Sequence, residues 1–196
     1  EDMPQSDAKR QLYKKKKKML LELGYVEIGM DHFALPTDEM FTAFNNKNLH
    51  RNFMGYTASK TDVMIGLGVS SISDSWNSFA QNEKSLDAYY VKINSNLLPV
   101  FRGHHLTEED LIIRQHILNL MCHFETSWNY EALFFPEIDE VLESLEEMRQ
   151  DGLLIIKDKT LAVTDLGKAY VRNICMAFDL RLKRAAPQTE LFSMTI

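Results

Sequence analysis

Residues 137 to 179 constrain the fold of this chain more than any other stretch. EIDEVLESLEEMRQDG is an amphipathic helix stopped by Gly152, LLIIKDKTLAVT is two β-prone runs around the Lys157 to Lys159 turn, and DLGKAYVRNICMAFD is a second helix with Ala169, Tyr170, Ile174 and Phe178 on one side. Helix, hairpin, helix is the pattern of a winged-helix unit. A DNA-reading version would lay the helix before the wing in the groove, yet that helix carries acidic residues at 137, 139, 140, 143, 146, 147 and 151 against Arg149 alone. Binding to DNA relies on Lys and Arg neutralising phosphates, so this helix repels DNA and the unit reads as a packing module. The whole chain agrees, with 22 Lys plus Arg against 28 Asp plus Glu and a net charge of −6. It lacks the cationic field of a nucleic-acid binder, and no nucleic acid is expected as a partner.

The chain has 196 residues, enough for one large domain or two small ones, and its 45% hydrophobic and 26% charged residues are ordinary for a globular protein. It contains no apolar run long enough to span a membrane and no apolar signal core, so the expected place is the cytoplasm and no membrane partner is expected. Cys122 and Cys175 stand far apart in stretches that read as helices, without a CxxC pair, and read as buried free thiols of a reducing compartment. A zinc or iron-sulfur site needs three or four soft ligands, and the six histidines show no HExxH or paired Cys/His spacing. No metal held by this chain is expected.

The opening SDAKRQLYKKKKKMLLELG places Leu12, Met19, Leu20 and Leu23 on an apolar stripe and stops at Gly24, with Lys14 to Lys18 as a solvated face. A short strand, YVEIG from Tyr25 to Gly29, follows directly, which is half of a βα repeat, the unit of α/β sheets and barrels. TDEMFTAFNNKN is a helix with Thr37 as its cap, Met40, Phe41 and Phe44 as its apolar side, and Asn45, Asn46 and Asn48 at its end. LHRNFMGYT and DVMIGLGVSSIS then read as extended, and Gly55, Gly66 and Gly68 mark places where another backbone or a ligand comes close. IGLGVSS lacks the third glycine of a dinucleotide fingerprint. SLDAYYVKINSN is helical, LPVFRGHHL is an extended link, and Thr107 with Asp110 makes a capping box opening a helix with Ile113, Ile117, Leu120, Met121 and Phe124 at helical spacing. His116 and His123 in that helix read as surface or core-edge residues.

The blocks GYVEIGMDHFALP (24 to 36), LHRNFMGYT (49 to 57), GLGVSSIS (66 to 73), FAQN (79 to 82) and RNICMAFD (172 to 179) closely resemble, in order, the C-terminal half of the oxygen-independent coproporphyrinogen III oxidase family of radical S-adenosylmethionine (SAM) enzymes. The resemblance spans almost the whole chain. It implies the class α+β: the terminal part of an α/β, partial TIM-like radical SAM barrel and its sheet extension (1 to 80), a connecting segment (81 to 106), and a mostly helical C-terminal domain with a winged-helix-like β-hairpin (107 to 196). It also implies an activity in the full-length enzyme, where a [4Fe-4S] cluster on CxxxCxxC cleaves SAM to a 5′-deoxyadenosyl radical. That radical starts the oxidative decarboxylation of two propionates of coproporphyrinogen III, giving protoporphyrinogen IX for haem.

CxxxCxxC occurs nowhere in this sequence, so the chain reads as a C-terminal fragment that binds no cofactor by itself and is catalytically inactive alone. By resemblance, Phe53, Met54 and Ile72 match the family's contacts to a second SAM, with Met54 standing where relatives often carry Gln. Coproporphyrinogen presents carboxylates around an apolar ring, and Asp31, His32, His50 and Arg51 are candidates for propionate or pyrrole contacts, against structural roles at strand ends. Core packing is the competing reading of Phe53 and Ile72. The expected partners are SAM and coproporphyrinogen III in the full-length enzyme, together with self-association of the fragment through sheet edges at Tyr25 and Asp62. The alternatives are a related radical SAM haem chaperone, against which the HRNFMGYT block argues, and a self-contained, non-catalytic winged-helix interaction protein.

Overall fold

The computed structural model describes residues 6–185, in which helices and short strands alternate. Helix α1 (Ser6–Glu22) is followed by strands β1 (Val26–Gly29) and β2 (His32–Ala34), helix α2 (Glu39–Asn45), and strands β3 (His50–Asn52), β4 (Gly55–Thr57), β5 (Ile72–Asp74) and β6 (Ser78–Asn82). Then come α3 (Leu86–Asn94), β7 (Val100–His105), α4 (Glu108–His123), β8 (Glu125–Ser127), α5 (Ile138–Ser144), α6 (Glu146–Gln150), β9 (Leu154–Lys157), β10 (Thr160–Val163), α7 (Val171–Ala177) and α8 (Leu180–Ala185). Lys60–Arg114 forms one compact unit and the other described residues form a second.

The larger unit opens on α1, whose end is set by Gly24 at a φ of +86°. The apolar stripe does not become its packing face, since Leu12, Met19 and Leu23 are exposed. The helix is instead held to β1 by polar groups: Lys17 pairs with Glu27 (2.6 Å), Tyr13 Oη donates to the Met30 carbonyl (2.8 Å), and Lys16 lies over the Phe33 ring (5.9 Å). The lysine run is therefore partly structural, because two of its members point back over the sheet. β1 pairs antiparallel with β2 across a turn in which Met30 takes a φ of +53°. Every strand pair among the described residues is antiparallel and no barrel closes, so the parallel neighbour that a βα repeat implies is not among them. Asp38, not Thr37, caps α2 by accepting the Met40 N–H (2.8 Å), and Met40, Phe41 and Phe44 pack on Ile28, Ala34, Ala43 and Leu49.

The expected order of helix, hairpin and helix is present, with a third strand added: β8 pairs with β10, which pairs with β9. Asp158 and Lys159 both have positive φ, the geometry of a two-residue turn whose twist matches the strands. The single helix expected over 137 to 151 is two short ones, because the backbone leaves helical form at Leu145 (ψ of 1°) to bury that side chain. The second helix of the pattern begins as a 3-10 turn at Gly167–Tyr170, which shifts the face. Ala169 and Tyr170 are consequently exposed, and Val171, Ile174, Cys175 and Phe178 face the core.

His116 is a further correction, since it is 0% exposed. Its Nε2 lies 2.8 Å from the Leu133 carbonyl, which can only accept, so Nε2 carries the proton. Asn119 donates to Thr126 Oγ1 (3.3 Å), leaving that hydroxyl to donate to His116 Nδ1 (2.8 Å). The imidazole is neutral, burial holds its pKa below the ordinary value, and it stacks on Phe178 at 5.4 Å.

In the smaller unit β5, β6 and β7 form one sheet. Of the extended run expected over 62 to 73, only Ile72 and Ser73 lie in a strand, and Met64 adds one bridge to Asp74. The two glycines let the chain bend close to β5 rather than pair along it. Thr107 and Asp110 make the capping box, with Asp110 accepting the Thr107 N–H (2.8 Å) and Thr107 Oγ1 accepting the Asp110 N–H (3.2 Å). The buried Asp74 takes a two-point ion pair from Arg114 (3.1 and 2.6 Å), whose guanidinium lies 4.4 Å from the Trp76 ring centre.

Candidate functional site

Tyr56 on β4 organises the region where three of the seven candidate residues, Asp31, His32 and Arg51, gather. Its ring is buried, and its hydroxyl donates to the Met121 carbonyl (2.8 Å). Burial, with the neighbouring Cys122 second, raises the phenol's pKa, so it is a fixed neutral donor rather than a base. Gly29 ends β1 against this ring, where a Cβ would stand 2.6 Å from the Tyr56 hydroxyl oxygen. The bare glycine is what lets the two hairpins approach.

His32, from β2, meets the Tyr56 ring edge-on at 5.1 Å. Gly55, at a φ of +127°, makes room for it, since a Cβ there would stand 3.1 Å from His32 Nε2. His32 Nδ1 is shielded from solvent and lies 3.2 Å from Asp31 Oδ1, at an angle that makes no hydrogen bond. Arg51, from β3, lies with its guanidinium 5.5 Å from the Tyr56 ring centre and Nη2 3.9 Å from the Met30 sulfur. Its Nε is shielded and without a hydrogen-bond partner. The site thus combines a half-buried cation and an imidazole around one phenol, with an exposed carboxylate beside them. Such a group can hold a carboxylate by charge-assisted hydrogen bonds.

The candidates do not all share this place. His50 is the strand neighbour of Arg51, paired in register with Thr57, and successive strand residues point to opposite faces. Phe53 and Met54 form the tip of the β3–β4 hairpin, where Asn52 Oδ1 accepts the Met54 N–H (2.8 Å). Both are presented outward, Phe53 at 52% and Met54 at 86% exposure, which is not a core position. Ile72, in the other unit, is half-buried on β5.

Both thiols are buried, and burial pushes Cys122 and Cys175 up to about 12, with the Arg51 charge opposing. They are protonated and inert at neutral pH. Among the described residues no group of three His, Cys, Asp or Glu side chains could hold a metal ion. Tyr56 was not singled out from sequence, although a tyrosine behind the glycine of a tight hairpin was a usable signal. The turn at Met30, which delivers sulfur to Arg51, carried none.

No family model matches the chain. Individual relatives do. The chain is 38% identical over a 200-residue alignment to the oxygen-independent coproporphyrinogen III oxidase of Salmonella typhimurium and 36% identical to that of Escherichia coli K12, each alignment covering 100% of this chain and 44% of the relative. The enzyme of that name from Thermostichus vulcanus is 36% identical, covering 95% of this chain and 59% of the relative. A solved structure described as coproporphyrinogen III oxidase (HemN) from Escherichia coli, a radical SAM enzyme, superposes with a TM-score of 0.85 at 36% identity, covering 92% of this chain and 43% of that one. The chain therefore spans less than half the length of most of these relatives. Identity at this level along all of its length, with the matching fold, makes the chain a homologue of the C-terminal part of the oxygen-independent coproporphyrinogen III oxidases.

Proposed function

We propose that this chain supplies the C-terminal portion of an oxygen-independent coproporphyrinogen III oxidase, which converts two propionates of coproporphyrinogen III to vinyl groups and so yields protoporphyrinogen IX. The observation that carries the reading is identity of 36% and 38% along 100% of this chain to 44% of enzymes of that name. In this reading residues 1 to 80 are the end of the catalytic barrel and its sheet extension, 81 to 106 a connector, and 107 to 196 the helical domain. The protein works in the cytoplasm. Among the described residues no helix is long and apolar enough to cross a membrane.

The [4Fe-4S] cluster does not fit this chain, which has two cysteines, both buried and protonated. Its ligands come from outside these 196 residues, and the chain alone does not turn over. SAM fits better: the outward Phe53 ring and Met54 thioether offer an apolar and polarisable contact, and Ile72 offers another in its own unit. The SAM at the cluster would supply the radical that removes hydrogen from a propionate, and Phe53, Met54 and Ile72 would meet the second SAM. The residues here bind and orient.

Arg51 and His32 take one propionate of the substrate, with Asp31 and His50 at the margins. A half-buried guanidinium whose Nε has no partner supports that assignment. Edges of the two-stranded β1–β2 and β3–β4 sheets pair with the rest of the longer protein, and the chain alone self-associates through them, whereas Asp62 lies outside any strand and β5 is covered by β6 and the Met64 bridge. Light scattering at micromolar concentration reads this directly, and a strictly monomeric chain refutes it.

The test of function is a chimera in which this chain replaces the matching part of the Salmonella relative, reconstituted with iron and sulfide without oxygen and supplied with a one-electron reductant for the cluster and an electron acceptor for the substrate radical. Protoporphyrinogen IX formed from coproporphyrinogen III and SAM is the expected result, reduced by Phe53→Ala and by Arg51→Met. A folded, cluster-loaded chimera that cleaves SAM yet never decarboxylates substrate refutes the proposal.

A further inference from the structure

We infer that Asn82 is a positioning residue that holds Ile72 through the glycine loop in front of it, an inference that rests on the reading of Ile72 as a SAM contact. Asn82 closes β6 and is 8% exposed, and its carboxamide is spent on a loop rather than on the sheet. Nδ2 donates to the carbonyl of Gly66 (3.2 Å) and to that of Gly68 (2.9 Å), using both amide hydrogens. Its backbone N–H donates to the Ser71 carbonyl (2.9 Å).

The loop so held lies directly on the backbone of Ile72. A Cβ on Gly66 would stand 2.7 Å from the Ile72 carbonyl oxygen and 2.9 Å from its nitrogen, and the Gly66 N–H donates to Ser73 Oγ (3.0 Å). On its other side Ile72 pairs in register with Gln81. The Ile72 peptide is therefore confined between β6 and the Gly66 segment, and the Asn82 side chain ties one to the other. Apolar burial does not fix this loop, because Ile65 and Leu67 are exposed on either side of Gly66. A loop fixed by internal polar bonds while presenting apolar groups outward is built to meet something, and its order rests on the buried donor.

The test uses the 196-residue chain with Asn82→Asp, which keeps the shape but removes both donors and sets a carboxylate against two carbonyl oxygens. Asp110→Ala, which opens the capping box of α4 in the same unit, is the control for general destabilisation. Amide exchange over residues 66 to 72 is expected to rise at least about tenfold in N82D and not in D110A. SAM titration of the chimera that carries this chain in the Salmonella relative, followed by the Ile72 methyl signal, is expected to need several-fold more ligand with N82D than without it. Where N82D does not fold, Gly66→Ala disturbs the same contact from the loop side and carries the same expectation. Unchanged exchange in these variants overturns the positioning role whatever SAM does. An Ile72 methyl that never responds to SAM in the unsubstituted chimera overturns instead the reading of Ile72 as a ligand contact, and the exchange result still decides whether the loop is held by Asn82.

Discussion

The close approach of Gly29 to Tyr56 in the larger unit yields a prediction about coupling rather than about either residue alone. Gly29→Ala puts a Cβ 2.6 Å from Tyr56 Oη and 3.0 Å from Cζ, inside contact distance of a ring that its hydrogen bond to Met121 cannot let swing away. Overpacking of this kind costs about 2 to 3 kcal/mol. Tyr56→Phe leaves the buried Met121 carbonyl without its donor, at about 1 to 2 kcal/mol. In the double variant the oxygen is gone and the nearest ring atom is Cζ, while alanine in a strand regains roughly 0.5 kcal/mol over glycine. The pair should therefore be less destabilised than the sum of the singles by about 1 to 2 kcal/mol. Urea unfolding of the four proteins measures this, followed by fluorescence of the buried Trp128 with Trp76→Phe in every member so that one reporter remains. Additivity within about 0.5 kcal/mol would mean that the hairpins have slack at Gly29, and the account of how they meet would be wrong.

Two other consequences are simpler. His116 and His123 both titrate below the ordinary histidine value, by burial first and, for His123, the Lys47 charge next, so the unfolded chain binds more protons below about pH 6.5. Stability is full above that pH and falls as pH drops toward the folded-state values, and His116→Gln should flatten the urea midpoint between pH 6.5 and 5; an unchanged slope refutes the assignment. Gly167→Ala drives a Cβ onto the Leu153 carbonyl oxygen and to 2.7 Å from its carbon, so a loss of about 3 kcal/mol or more is expected in thermal unfolding, and a neutral effect would refute the packing described.

What the sequence made legible follows from where its signals are local. The capping box at Thr107, the stop at Gly24, the ends of α3 and the wing hairpin are all set by residues within a few positions of each other, and all are present. The misreadings come from long-range choices. Periodicity offered Leu12, Met19 and Leu23 as a buried face, but α1 meets the sheet through Tyr13 and Lys17, which no hydrophobic pattern marks. His116 looked like an edge residue because an imidazole is polar, and it is central because Thr126 and Leu133, from two other segments, satisfy both nitrogens. Similarly, Arg51 and His32 stood out only as neighbours of family motifs. Their meeting at Tyr56 depends on two hairpins folding toward each other over bare glycines.

Arg51 also differs from the other half-buried cations among the described residues. Arg114 is matched by Asp74, Lys92 by Glu83 at 2.6 Å and Lys17 by Glu27 at 2.6 Å, whereas Arg51 faces a ring and a thioether and leaves Nε unpaired. A desolvated charge without a counter-ion costs stability, and proteins keep such costs at sites where an outside group completes the pairing. Arg51→Met should accordingly leave the chain as stable or stabilise it by up to about 1 kcal/mol, since the apolar stem still covers Tyr56. Propionate at high concentration, against chloride at equal ionic strength, should raise the urea midpoint of the unsubstituted chain and not of R51M, because a ligand stabilises only the state that binds it. If R51M is instead strongly destabilised, the guanidinium is a packing element of the hairpins and its place in a carboxylate site falls.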